Sequence, residues 1–157
     1  MNLLEGFTVK TNISNLPAQR TVLPPESTLA GRPLRALFVE DNADLRELIA
    51  SILEEEGLDV VACASGEEAE SAFTDNPFDL VVTDVSLPGM SGVQLVKRLL
   101  ATAPSTWMVF STGYPMGDSL GSFGSHVRCL PKPFETEELQ ALLEEVRTAL
   151  YAVPDQF

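Results

Sequence analysis

Five short apolar runs punctuate the chain from Leu34 onward, and four of the five segments that follow them carry apolar residues at helical spacing. The runs are RALFV (35–39), VVACA (60–64), FDLVVT (78–83), TWMVF (106–110) and HVRCL (126–130). The helical patterns run through Leu45, Leu48, Ile49, Ile52 and Leu53, then Ala69, Ala72 and Phe73, then Val93, Val96, Leu99 and Leu100. The last carries Leu139, Leu142, Leu143, Val146 and Leu150. Continuous apolar runs of this length are strands covered on both faces, and strands joined through helical crossovers must be parallel. The pattern predicts an α/β domain of three layers. Gly57 reads as the stop of the first helix, and Ser65 with Glu68 resembles a capping box opening the second. One unit stands apart. The segment GYPMGDSLGSFGS (113–125) holds four glycines and a proline, and each interior Gly costs a helix about 1 kcal/mol relative to Ala. The helix of this fourth unit should be short, frayed or absent.

Residues 1–33 show no sustained period and contain Pro17, Pro24, Pro25 and Pro33, so they read as an extension or linker. FTVKTNI within them has strand character but no evident pairing partner. The folded domain is expected over 34–152, with 153–157 as a tail. A chain of 157 residues has room for one domain and such an extension. No apolar run approaches the roughly 20 residues that span a bilayer. The opening carries Glu5 and Gly6 and lacks a basic start, which argues against a secretory signal and for a cytoplasmic protein.

Charge is uneven. Residues 1–34 set Lys10, Arg20 and Arg32 against Glu5 and Glu26, a net of +1, so the remainder carries −14 of the total −13. A domain this acidic lacks the positive surface that neutralises phosphates, which argues against nucleic-acid binding. Cys63 and Cys129 lie far apart within strand-like runs, with His126 the lone histidine. They read as two buried reduced thiols rather than a metal or redox pair.

The strand ends carry the chemistry. LFV runs into Glu40 and Asp41, LVV into Thr83 and Asp84, MVF into Ser111 and Thr112, and RCL into Pro131 and Lys132. In an open parallel sheet these residues gather at the carboxyl edge, where such folds bind ligands. Three converging carboxylates repel one another unless a cation lies among them, so the pattern points to a divalent metal and an anionic group. Each residue has an ordinary local explanation. Asp41 or Asn42 caps a helix, Asp84 starts a turn with Pro88 and Gly89, and Lys132 between two prolines sits in a loop. Local explanations do not account for all of them occurring in this order at successive strand ends.

The segment 34–152 resembles the receiver domain of two-component response regulators. The resemblance is carried by VEDN (39–42), TDVSLPGMSG (83–92), FSTGY (110–114) and LPKPF (130–134). It implies a flavodoxin-like, CheY-like three-layer sandwich with a five-stranded parallel sheet of order 2-1-3-4-5. It implies that Asp84 is the phosphoacceptor, and that Glu40, Asp41, Asp84 and the main-chain carbonyl of Ser86 hold Mg²⁺, with Mn²⁺ an alternative. Thr112 is then the switch hydroxyl, Lys132 the phosphoryl-binding ammonium, and Lys132–Pro133 a cis bond. Ser86 and Tyr114 would flank the path of the hydrolytic water, a bulky Tyr114 slowing dephosphorylation. The implied donor is a histidine kinase or a histidine phosphotransfer protein, and the implied output is control of a partner protein.

The chain departs from the family's usual pattern twice. Cys129 stands where most members carry Tyr or Phe, and the glycine-rich 113–125 segment replaces a regular helix. Both departures fall on the face that reads out phosphorylation. Rival readings are a Mg²⁺-dependent phosphatase with an aspartyl nucleophile, a flavin-binding module, and a binding module indifferent to phosphorylation. The first lacks a second Asp two residues after Asp84, where Ser86 stands; the second lacks a Ser/Thr/Gly-rich loop after the first strand; the third leaves the filled acidic, hydroxyl and lysine positions unexplained. A stand-alone regulator and the terminal receiver of a hybrid histidine kinase both fit, the proline-containing lead-in favouring the second. Whether the chain forms a homodimer stays open.

Overall fold

The computed structural model describes residues 32–151; the reading of FTVKTNI, most of the linker and the 153–157 tail lies outside the described residues. Five strands form one sheet: β1 (Arg35–Val39), β2 (Asp59–Cys63), β3 (Leu80–Asp84), β4 (Trp107–Thr112) and β5 (Val127–Pro131). Their order is β2-β1-β3-β4-β5, with every neighbouring pair parallel. Among the described residues four α-helices accompany them: α1 (Ala43–Glu55), α2 (Gly66–Asp75), α3 (Gly92–Thr102) and α4 (Thr136–Tyr151).

Alternation along the strands divides the core in two, because successive side chains point to opposite faces. Ala36, Phe38, Leu80, Val82 and Val109 meet Leu53 of α1 and Leu139, Leu142, Leu143 and Val146 of α4 on one face. Leu37, Val39, Val81, Met108 and Phe110 meet Ala69 of α2 and Leu95, Val96 and Leu99 of α3 on the other. Each of the Val, Leu, Phe and Met side chains among these contributes about 1.5–3 kcal/mol through burial. The helices therefore hold to the sheet by their apolar stripes, and the strand ends are fixed with them.

Local signals set the helix boundaries. Asn42 caps α1, its side chain accepting from Leu45 N at 2.9 Å. Ser65 Oγ accepts from Glu68 N at 3.1 Å, yet the Glu68 carboxylate takes the Ala64 amide at 2.7 Å rather than that of Ser65. The expected capping box is thus half formed there. The complete one opens α3, where Ser91 and Gln94 exchange side-chain and backbone bonds.

The sequence places the end of the fourth strand at Phe110; the structure carries it to Thr112, whose carbonyl accepts from Lys132 N at 2.8 Å. The fourth crossover contains a seven-residue 3₁₀ segment, Gly117–Phe123, in place of an α-helix. Met116, Leu120 and Phe123 still pack on the α2–α3 side of the core, and the Phe123 ring meets Phe110 edge-on at 5.3 Å. Of the two cysteines, both free, Cys63 is buried as expected, but Cys129 is only half-buried. It sits on the strand at the sheet edge, with one neighbour instead of two.

Candidate functional site

β1 and β3 are adjacent in the sheet, so Glu40, Asp41 and Asp84 emerge side by side. One carboxylate oxygen from each lies within 4.8 Å of the others. Glu40 is 3% exposed and is held in place: its Oε2 accepts from Asn42 N at 3.1 Å, and its own N–H donates to Cys63 O at 3.0 Å. Lys132, delivered from the end of β5, donates to Glu40 Oε1 and Asp84 Oδ2 at 3.2 Å each. Burial pushes its ammonium toward neutrality, but the hydrogen bonds and charges of Asp84 and Glu40 outweigh this and hold its pKa above the ordinary lysine value. The Lys132–Pro133 bond is cis.

The loop leaving Asp84 is tied on both sides. Ser86 N donates to Asp84 Oδ1 at 3.3 Å, and Gly92 N donates to Val85 O at 2.9 Å. The backbone approaches so closely here that a Cβ on Gly92 would lie 1.9 Å from Asp84 O. Gly89 turns the loop with φ +72. Glu67, in the first turn of α2, reaches across to accept from Met90 N at 3.0 Å.

β4 supplies hydroxyls. Ser111 is the register partner of Asp84. Thr112, fully buried, accepts from Tyr114 N at 3.1 Å, while the Tyr114 side chain is 74% exposed. Beside the acids, between α1 and the start of α4, opens a cavity of about 450 Å³. Leu45, Ile49, Ile52 and Phe134 make its apolar wall, and Glu40, Asp84, Ser111 and Lys132 its polar end. Leu48, also on that wall, is 57% exposed.

The structure thus brings Glu40, Asp41, Asp84 and Lys132 together, with Ser86 in the loop leaving Asp84, Thr112 at the end of the neighbouring strand β4 and Tyr114 at the surface. Cys129 lies on β5, two strands from β3, and pairs in register with Phe110, whose ring meets Phe123 of the 3₁₀ segment. Sequence reasoning passed over Arg46, whose guanidinium donates to Glu40 O at 2.8 Å, and over Glu67. Arg46 was readable in principle as a cation five and six residues after two acids; the Glu67–Met90 contact spans 23 residues and leaves no local signal.

Three carboxylates facing a single ammonium retain excess negative charge, and all the donors are hard oxygens. Such a set fits Mg²⁺, which favours one or two carboxylates and leaves positions for water and phosphate oxygens.

A doubly wound sheet binds ligands outside the carboxyl ends of its strands, and here that edge is acidic and carries a lysine. Residues 36–144 match the response regulator receiver domain family, and the chain belongs to it. It is similar to the response regulator receiver protein CpdR of Brucella abortus, at 29% identity over 121 residues covering 73% of this chain and 98% of CpdR. A 75-residue stretch, 48% of this chain, is 46% identical to the sensor histidine kinase GacS of Pseudomonas protegens but spans only 8% of that protein. Among solved structures, TrrA of Thermotoga maritima, a response regulator in complex with Mg²⁺-BeF, superposes with a TM-score of 0.66 at 27% identity, covering 72% of this chain and 98% of TrrA. Among the described residues no helix is long and apolar enough to cross a membrane.

Proposed function

We propose that Asp84 accepts a phosphoryl group from a phosphohistidine on a histidine kinase or histidine phosphotransfer protein, and that the aspartyl phosphate is this chain's signal. The convergence of Glu40, Asp41, Asp84 and Lys132 at one sheet edge carries the reading. One Asp84 oxygen attacks phosphorus, the donor's N–P bond breaks, and the released imidazole takes up a proton. Lys132 is already paired with Asp84 and neutralises charge gathering on the phosphoryl oxygens. Glu40, Asp41, Asp84 and the Ser86 carbonyl would hold Mg²⁺, which supplies charge neutralisation for an incoming dianion.

Reversal is hydrolysis: water adds to phosphorus, the acyl phosphate P–O bond breaks, and inorganic phosphate leaves with Asp84 ionised again. In this reading the site turns over its own aspartyl phosphate, and Ser86 occupies the position where an aspartyl phosphatase needs its second acid. Thr112 stands ready to follow the phosphoryl group, giving up its bond from Tyr114 N and so passing the change into the 113–125 segment. The apolar wall beside Asp84 suits a protein donor. Residues 34–152 act as the receiver unit in this reading, in the cytoplasm with its donor, and residues 1–33 as its lead-in.

The test is incubation with Mg²⁺ and acetyl phosphate, read by intact mass. A single phosphoryl adduct should form, and Asp84→Asn should abolish it. An adduct that survives the substitution sinks the assignment. Tyr114→Ala should then shorten the adduct's lifetime, whereas an unchanged decay rate means that Tyr114 does not shield the hydrolytic water.

A further inference from the structure

Ser111 is 5% exposed, stands opposite Asp84 in the β3–β4 register, and lines the cavity end that also holds Asp84, Glu40 and Lys132. The neighbouring hydroxyls are paired: Thr83 Oγ1 donates to Asp84 O at 2.9 Å, and Thr112 Oγ1 accepts from Tyr114 N at 3.1 Å. The Ser111 hydroxyl makes no hydrogen bond to any of the described residues. A buried hydroxyl without a protein partner is destabilising, and alanine at the same place would avoid that cost. Strand parity sharpens the point. Ser111 faces the same side as Val109 and Val82, where an apolar residue would continue the core.

Resting on the receiver reading, we propose that Ser111 is a phosphoryl-site residue whose hydrogen bond forms only when Asp84 is phosphorylated. In the unphosphorylated protein Lys132 spends two of its three N–H donors on Glu40 and Asp84. A phosphoryl group on Asp84 turns a monoanionic carboxylate into a dianionic acyl phosphate and sets three acceptor oxygens at the polar end of the cavity. The Ser111 O–H lies on that end and donates to them. An interaction absent before phosphorylation and present after it shifts the equilibrium toward the phosphorylated form rather than strengthening the fold. This hydroxyl is distinct from Thr112, which belongs to the opposite face of β4 and turns toward the 113–125 segment.

The test compares Ser111→Thr with Ser111→Val, which are matched in volume and differ by the hydroxyl. Beryllofluoride with Mg²⁺ is the probe, titrated calorimetrically and observed by ¹⁹F NMR, and each apo protein is melted alongside. Ser111→Thr should bind beryllofluoride close to the wild type. Ser111→Val should bind roughly tenfold more weakly, the loss expected for one hydrogen bond to a charged group, while its apo form melts no lower than that of Ser111→Thr. Equal beryllofluoride affinity for the two variants overturns the proposal and leaves the receiver reading intact. Parallel loss of affinity and melting temperature in Ser111→Val also overturns it, since that assigns the residue to packing. If the wild type binds no beryllofluoride, the proposal and the receiver reading fall together.

Discussion

Two loops leave the carboxyl edge of this sheet, and their glycines do opposite things. After β3, Gly92 lies against the Asp84 carbonyl so tightly that no side chain fits, and Gly89 faces the Glu67 carboxylate. After β4, Gly113, Gly117, Gly121 and Gly124 have open space where a Cβ would stand. In the first loop glycine permits close approach; in the second, Gly117 and Gly124 supply left-handed backbone, while Gly113 and Gly121 only withhold helix-forming tendency. The first loop fixes the acceptor carboxylate. The second, held by Met116, Leu120, Phe123 and the Thr112–Tyr114 bond, is the part that can rearrange at low cost.

The comparison is broken or sharpened most strongly by Gly92→Ala. The added Cβ meets backbone rather than a movable side chain, so the expected loss is about 3 kcal/mol or more in denaturant unfolding, together with loss of phosphorylation. A near-neutral result would mean that the loop after Asp84 is not clamped.

Lys132→Ala comes next. It leaves buried Glu40 facing Asp84 without a counter-charge, an expected cost of about 1–3 kcal/mol. Added Mg²⁺ should recover part of it, since a ligand bound only by the folded state at about ten times its Kd contributes about 1.4 kcal/mol. A variant indifferent to Mg²⁺ would contradict the metal assignment.

Alkaline pH gives a smaller effect that bypasses both loops. Burial, then the charge of Glu68, pushes the Cys63 thiol up to about 11 from an ordinary 9.0. The unfolded chain therefore ionises first, and the Cys63 contribution, complete below pH 9, is lost between pH 9 and 11. Lys132, raised above its ordinary 10.5, adds a loss of the same sign at higher pH. A pH series of urea midpoints, compared with Cys63→Ala, checks the first step; matching slopes over pH 9–11 in the two proteins would exclude Cys63 as its source.

Gly121→Ala should be the mildest change. With nothing within 4 Å of its Cβ position and φ outside the left-handed region, it should shift stability by no more than about 0.5 kcal/mol, in the stabilising direction. A large destabilisation would show that the second loop is as constrained as the first.

The architecture and the acidic edge were legible because buried parallel strands are written as apolar runs and end in polar residues. Glu40, Asp41, Asp84 and Lys132 could each be placed at a strand end without knowing a distance. The weakness of the fourth helix was legible from its glycines. What the sequence left unread depends on contacts between distant segments. Glu67 reaching Met90 and Arg46 bracing the Glu40 carbonyl leave no periodic signal. Ser111 and Thr112 are neighbours of similar chemistry, and only strand parity and burial show that their hydroxyls serve opposite faces. The Ser65–Glu68 pattern matched a capping box, yet Glu68 bonds one residue earlier, an alternative that spacing alone does not separate.

The central claim is that Asp84, in the clamped loop, carries the phosphoryl group. Borohydride reduction of the acetyl-phosphate-treated protein converts a phosphorylated aspartate to homoserine, and peptide mass mapping then locates it. The account predicts homoserine at position 84 alone, formed only when Mg²⁺ is present. Homoserine at another acidic residue, or an adduct that resists borohydride, would contradict it.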